Sequence, residues 1–348
     1  MTDSAADWPQ AAVEALRTAV ADLGGSLGPL LVEAVRHLET LVLTGPGETV
    51  AAVAVPAAVF GRLTDRAAPA GLLACAAATY LALDVLDDRM DGEEPAFWAD
   101  RSANEIMMGA QVLLLTANQS LSLAASGVAE GAATELTSLF RAMIAEVTEG
   151  QLQTEQPLTE TTTPASVGAA ISARSGAMLA GFAGLAAVLA GAAPAEVEAA
   201  RAFGRELAVA RQHVNDLTEL LGDQTADLRN RTPTMAAALA LQALPAADRP
   251  ALITSMQTAV ADRDARRRLV AALTPAIAEV CVLVQLHLSQ ARRVTRTLPR
   301  RGVGPDGLDQ LIEHTATTLR SPHVHRPSAP GVLRPGTRAL PERSRVPG

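Results

Sequence analysis

Lysine is missing from this chain. All 29 basic residues are arginine, so any cation it offers to an anion is a guanidinium. Aromatic residues make up 2% of the sequence, as five Phe, two Trp and one Tyr. Cysteine is nearly absent too. Cys75 and Cys281 stand far apart in apolar surroundings, which excludes a disulfide framework and a cysteine metal spacing and predicts a reducing, cytoplasmic setting. The formal net charge of −8 excludes the basic face that a nucleic-acid binder needs. Val and Ile do not alternate with polar residues, so strands are not expected. The opening "MTDSAADWPQ" lacks the basic-then-apolar layout of a secretory signal. The best membrane-span candidate, residues 177–193, is short and rich in Ala and Gly. It reads as a buried core helix, so no transmembrane segment is expected.

What is present is Ala and Leu in helical spacing, with 49% of residues hydrophobic. Apolar periodicity predicts helices near 9–22, 27–43, 50–62, 69–91, 98–125, 129–153, 165–191, 195–221, 233–244, 247–258, 264–297 and 305–319. Thr and Pro mark 156–166 as a loop, and Gly, Thr and Pro do the same for 222–234. Residues 1–8 are expected to be flexible, with one helical domain over 9–320. Residues 321–348 hold six prolines, five arginines and one acid. Such a segment cannot bury a core and is expected to be a disordered tail.

Two clusters of acids interrupt the apolar helices. In "LDVLDDRMDGEE", Asp84, Asp87, Asp88 and Asp91 lie at the end of a helix whose preceding turns are Ala and Leu. Asp87 and Asp91 are i, i+4, and Asp88 and Asp91 are i, i+3, so the three share one side. They repel one another where the helix dipole is already negative, and a hard divalent cation that favours oxygen, Mg²⁺ above all, resolves both problems. A solvated acidic helix end is the plainer reading of this cluster alone. The second cluster, "RQHVNDLTELLGD", carries Asn215, Asp216, Glu219 and Asp223. Asn215, Glu219 and Asp223 repeat every four residues and form a stripe on one helix face. Two stripes of oxygen donors on apolar helices suggest a pair facing each other across a cavity.

With both clusters in view, "LDVLDDRMD" resembles the first aspartate-rich motif, DDxxD, of the trans-isoprenyl diphosphate synthases, and "VNDLTE" resembles their second. The segments "EGQLQTE", "ARSGAMLAG" and "DLRNRTPTMAAALAL" are similar to family helices and to the loop after the second motif. The likeness runs over about residues 40–300. It implies an all-α isoprenoid synthase fold, with helices around a deep apolar cavity and the motifs on opposite walls of its mouth. It also implies a prenyl diphosphate substrate, Mg²⁺ (about three ions) bridging the carboxylates and the diphosphate, and a homodimer. Asp87, Asp88, Asp91, Asn215, Glu219 and Asp223 would be the metal ligands, with Asp216 supporting catalysis. Arg174 falls where the family has a diphosphate-binding Lys, and Gln151 matches a cavity Gln. Arg229 and Arg231, after the second motif, would swing over the diphosphate or, on the plainer reading, stay at the surface.

The departures from the family lie elsewhere. Elongating members hold isopentenyl diphosphate with GGKxxRP, a His before DDxxD and an Arg pair after it. Here those places read Glu48 and Ala51, then Tyr80, then Ala96 and Phe97. The expected acceptor cations are gone while both acidic motifs stay. Three readings follow: a terpene synthase, which the sequence favours; a prenyltransferase, either an elongator or one with another acceptor; and, last, a non-catalytic partner subunit. The Asn215/Glu219/Asp223 spacing is similar to the metal triad of terpene synthases. The scarcity of aromatic rings, which stabilise cations in cyclases, weighs against that first reading.

Overall fold

The computed structural model describes residues 8–44, 51–90, 92, 98, 100–154, 156–222, 226–302 and 306–320. Among them there is no strand. The helices are α1 (Trp8–Val20), α2 (Gly28–Glu39), α3 (Ala51–Thr64), α4 (Ala70–Met90), α5 (Ala103–Ala125), α6 (Glu130–Thr154), α7 (Pro164–Ile171), α8 (Ala177–Leu189), α9 (Pro194–Leu221), α10 (Ala226–Asn230), α11 (Met235–Ala243), α12 (Arg249–Ala259), α13 (Arg263–Thr297) and α14 (Gly307–Arg320).

The elements follow the expected order, with local differences, four of which bear on the ends or continuity of helices near the site or the termini. Trp8 opens α1 instead of closing a flexible terminus. The expected 165–191 helix is interrupted at Ser172–Gly176 by a widened π turn. The expected loop at 222–234 contains the five residues of α10. Helix α5 starts at Ala103, not near 98, because Ser102 and Glu105 make a reciprocal cap: Glu105 N donates to Ser102 Oγ at 3.3 Å and Ser102 N to Glu105 Oε2 at 2.9 Å. Residues 321–348 lie outside the described residues.

Helix α4 is apolar around its whole circumference from Leu72 to Ala82, and nearly every residue of that stretch is buried, as expected of a helix inside a bundle. It packs on α5 and α1. Helix α8 is almost as fully buried and lies among α3, α6 and α9. Helix α9 lies between α8 and α13. By length and composition, α4, α5, residues 164–189 and α13 could each cross a membrane, where the sequence suggested a single candidate. More than half of the apolar window is buried within the protein for α4 (61%) and for 164–189 (72%), against 44% for α5 and 28% for α13.

Two glycines set how closely the site-bearing elements approach. A Cβ on Gly204 of α9 would stand 2.3 Å from Leu179 O of α8, and one on Gly150 of α6 would stand 2.4 Å from Arg174 N in the π turn. Only glycine permits either crossing. Arg62 ties α3 to the junction of α13 and α14. Its guanidinium pairs with Asp306 just before α14 and donates to Thr295 O at 2.6 Å and Leu298 O at 2.9 Å at the end of α13.

Candidate active site

The last turns of α4 change character. Most side chains up to Ala82 meet other helices; Tyr80 and then Leu83, Asp84, Leu86 and Asp87 face a cavity of about 700 Å³. Helix α9 lines it with Ala208, Arg211, Gln212, Asn215, Asp216 and Glu219. Helix α6 contributes Val147 and Gln151, the π turn Arg174 and Ser175, and α8 Met178 and Leu179. Asp84 and Asp87 of the first acidic motif and Asn215, Asp216 and Glu219 of the second therefore line one cavity.

A hydrogen-bonded set joins α4, α6 and the π turn. Gln151 Nε2 donates to Asp87 Oδ1 at 2.6 Å, and Arg174 Nη1 lies 3.3 Å from both Asp87 Oδ1 and Gln151 Oε1. Gly150 allows this contact, since it brings the backbone of α6 onto that of Arg174. The turn itself is anchored by Arg205 of α9, which donates to Ser172 O at 3.0 Å and to Glu146 of α6 at 2.9 Å. The same turn also reaches α9: Ser175 Oγ donates to Gln212 Oε1 at 2.9 Å, and Gln212 Nε2 donates to Asp216 Oδ1 at 2.8 Å. Glu219 Oε1 accepts the Asp227 N–H at 2.7 Å. Arg266 of α13 donates to Glu219 O at 2.7 Å and so satisfies a carbonyl at the open end of α9.

Burial sets the electrostatics. It pushes Asp216 up to about 6, with the Gln212 hydrogen bond and the Arg174 charge opposing it. It pushes Asp227 up to about 8, and Asp216 and Glu219 add to the rise. Asp84 rises to about 6 through burial and then the charge of Asp87. The Tyr80 hydroxyl is driven upward by burial and by Asp84, with Arg211 pulling the other way.

Of the residues expected at the site, Asp87, Gln151, Arg174, Asn215, Asp216 and Glu219 all line the cavity. Asp88 is half-buried on α4 and does not line it. Nor do Arg229 and Arg231. Arg229 is exposed on α10, and Arg231 has a left-handed backbone (φ 55°) with its carbonyl accepting Leu158 N–H at 2.7 Å. Asp91 and Asp223 lie outside the described residues, as do Glu48, Ala96 and Phe97. The sequence reading passed over Asp227, Gln212, Ser175 and Arg211, all of which line the cavity. Gln212 and Arg211 had an available signal, lying one turn before Asp216 and Asn215 on the same helix.

Asp87, Asn215, Asp216 and Glu219 offer only oxygen among their side-chain metal donors, a set suited to Mg²⁺. Among the described residues no three His, Cys, Asp or Glu side chains are grouped so as to hold an ion. An ion here would take further ligands from water or from a bound anion, as Mg²⁺ usually does.

The profile of the family described as Polyprenyl synthetase matches residues 85–273. No curated protein matches the chain. Among solved structures, a geranylgeranyl pyrophosphate synthetase from Pyrococcus horikoshii Ot3 superposes with a TM-score of 0.73 at 16% identity, covering 90% of this chain and 95% of that one. A polyprenyl synthetase from Streptomyces coelicolor A3(2) does so at 0.69 and 20% identity, covering 90% and 98%. A decaprenyl diphosphate synthase from Rhodobacter capsulatus gives 0.72 at 18% identity, covering 90% and 95%. These likenesses show the all-α isoprenoid synthase fold.

Proposed function

The chain belongs to the polyprenyl synthetase family, and from that premise we propose that it is a prenyltransferase that ionises an allylic prenyl diphosphate and passes the prenyl group to an acceptor. The observation carrying this reading is a single cavity lined both by Asp87, Asn215, Asp216 and Glu219 and by Leu83, Leu86, Val147, Met178 and Leu179. The family match favours transfer over the terpene synthase that the sequence put first.

Bound Mg²⁺ would supply charge neutralisation of the departing diphosphate. The remaining roles belong to this chain. Arg174, a bidentate donor suited to phosphate, exchanges its contact with Asp87 for diphosphate oxygens. Gln151 holds Asp87, and Gln212 orients Asp216. The aliphatic wall takes the prenyl tail and keeps water from the allylic cation. A homodimer fits the same reading. Helix α5 carries no charged residue from Met107 to Ala125, and it leaves Met107, Met108, Leu115 and Leu123 exposed.

A terpene synthase remains the second reading because Ala51 and Tyr80 line the cavity where elongating relatives are expected to place cations for isopentenyl diphosphate. The test is incubation of the protein and Mg²⁺ with geranyl, farnesyl or geranylgeranyl diphosphate, with and without isopentenyl diphosphate. Mg²⁺-dependent diphosphate release is expected, with no requirement for isopentenyl diphosphate. A longer prenyl diphosphate as the main product makes the protein an elongator. Hydrocarbon alone makes it a lyase. No release with any of the three refutes the assignment.

A further inference from the structure

Asp84 also lines the cavity, beside the acids to which a role has been given above. Asp84 sits one helical turn before Asp87 on α4, and Tyr80 one turn before that; both line the cavity, and Arg211 faces it from α9. Tyr80 and Asp84 share a side-chain hydrogen bond. Helix geometry gives depth to this corner. Three residues advance about 4.5 Å along α4. A diphosphate held at the level of Asp87 by Arg174 therefore places its first prenyl carbon near the level of Asp84. A carboxylate there is expensive, since burial disfavours its charge, and neither Asp87 nor Asp216 needs it for the hydrogen bonds described above.

We propose that Tyr80 and Asp84 form the acceptor end of the reaction, where Tyr80 positions a hydroxyl-bearing nucleophile and Asp84 takes its proton. This rests on the prenyltransferase reading and names its acceptor class. The bond between the allylic carbon and the diphosphate oxygen breaks, and its electron pair leaves on the diphosphate. A lone pair of the acceptor hydroxyl closes on that carbon. The hydroxyl proton goes to the Asp84 carboxylate. The products are a prenyl ether, or a prenyl alcohol when the nucleophile is water, and diphosphate. A second diphosphate is the wrong acceptor for this corner. Arg174 and Arg211 are the only cations among the described lining residues. Arg174 belongs to the first diphosphate, and the negative charges of Asp84 and Asp88 both act at the Tyr80 hydroxyl. With its own proton affinity raised by burial, Asp84 is a better base than an exposed carboxylate.

Water is the probe. The full-length protein is incubated in ¹⁸O-water with Mg²⁺ and farnesyl diphosphate, without added acceptor, and the ratio of labelled prenyl alcohol to hydrocarbon is read alongside diphosphate release. The ratio is independent of how fast ionisation runs. Asp84→Asn keeps the shape and removes a buried charge. It should lower the ratio about a hundredfold, in the range of general-base contributions, because loss of a proton from the cation to diphosphate then prevails. Tyr80→Phe should lower it less. An unchanged ratio in Asp84→Asn overturns the proposal and leaves the prenyltransferase reading standing, whereas wild-type protein that releases diphosphate but gives hydrocarbon alone is a lyase and overturns both. If Asp84→Asn fails to fold, an unchanged ratio in Tyr80→Phe overturns it equally. No diphosphate release from the wild type instead removes the underlying functional reading.

Discussion

Replacing Gly150 by Ala tests whether the site depends on the close crossing of α6 and the π turn. The added Cβ would meet Arg174 N at 2.4 Å, Ala173 C at 2.6 Å and Arg174 Cα at 2.9 Å. All three are backbone atoms and cannot rotate away. Ordinary contact begins near 3.4 Å, so the two segments must part by about 1 Å. Overpacking of this kind costs roughly 1–3 kcal/mol, and the better helix propensity of Ala returns up to about 1 kcal/mol. A small fall in thermal midpoint is expected. The effect on activity should be larger. The same shift separates Gln151 and Arg174, now 3.3 Å apart, and loosens the hold of both on Asp87. A misplacement of about 1 Å can cost about a hundredfold in rate. The assay is Mg²⁺-dependent diphosphate release, run beside a thermal melt. Gly131→Ala, on the same helix with nothing within 4 Å of its Cβ, is the control and should keep full activity. Wild-type turnover in Gly150→Ala would refute the reasoning.

Three further outcomes are expected. Asp87→Ala should abolish diphosphate release while circular dichroism stays native, since Asp87 is cavity-facing and not part of the core; full activity would remove the central assignment. Asp227 is held up to about 8 by burial, so the folded state binds a proton that the unfolded state has released above its ordinary value near 3.8. The metal-free protein should therefore lose stability as pH rises from about 4 through about 8, and Asp227→Asn should flatten that slope in melts across the range. Leu115→Arg on α5, a position 68% exposed, should convert a dimer to monomers in light scattering; a monomeric wild type would contradict the proposed homodimer.

The helices were legible because apolar residues recur at helical spacing, and the acidic walls because Asp87, Asn215 and Glu219 keep that same spacing. Asn215 and Glu219 needed only the rule that i and i+4 share a face. Asp227 was not legible in this way. It sits in a Thr- and Arg-containing segment with no apolar period, and only the tertiary placement of α10 below Glu219 buries it. The π turn escaped for a different reason. Ser172 through Gly176 holds no residue that marks it as different from a helix, and the contacts of this turn, with Gly150 and Arg205, are distant in sequence. For Arg229 and Arg231, local composition suggested a mobile cationic loop. The left-handed backbone at Arg231 and its bond to Leu158 instead tie that carbonyl to the segment before α7.

The Arg62 junction has a consequence for how the chain is made. Its partner Asp306 lies 244 residues downstream. At ribosomal speeds of about 5–20 residues per second, that acid emerges roughly 12–50 s after the guanidinium it neutralises. In the finished protein both side chains are only 9% exposed, and a cation cannot be sealed in that position while its counter-charge is still untranslated. Helix α3 can thus dock fully only near the end of synthesis. The first fifth of the polypeptide, through α3 and with the very apolar α4 immediately behind it, spends that interval incompletely closed and is the natural client of any chaperone waiting at the exit tunnel.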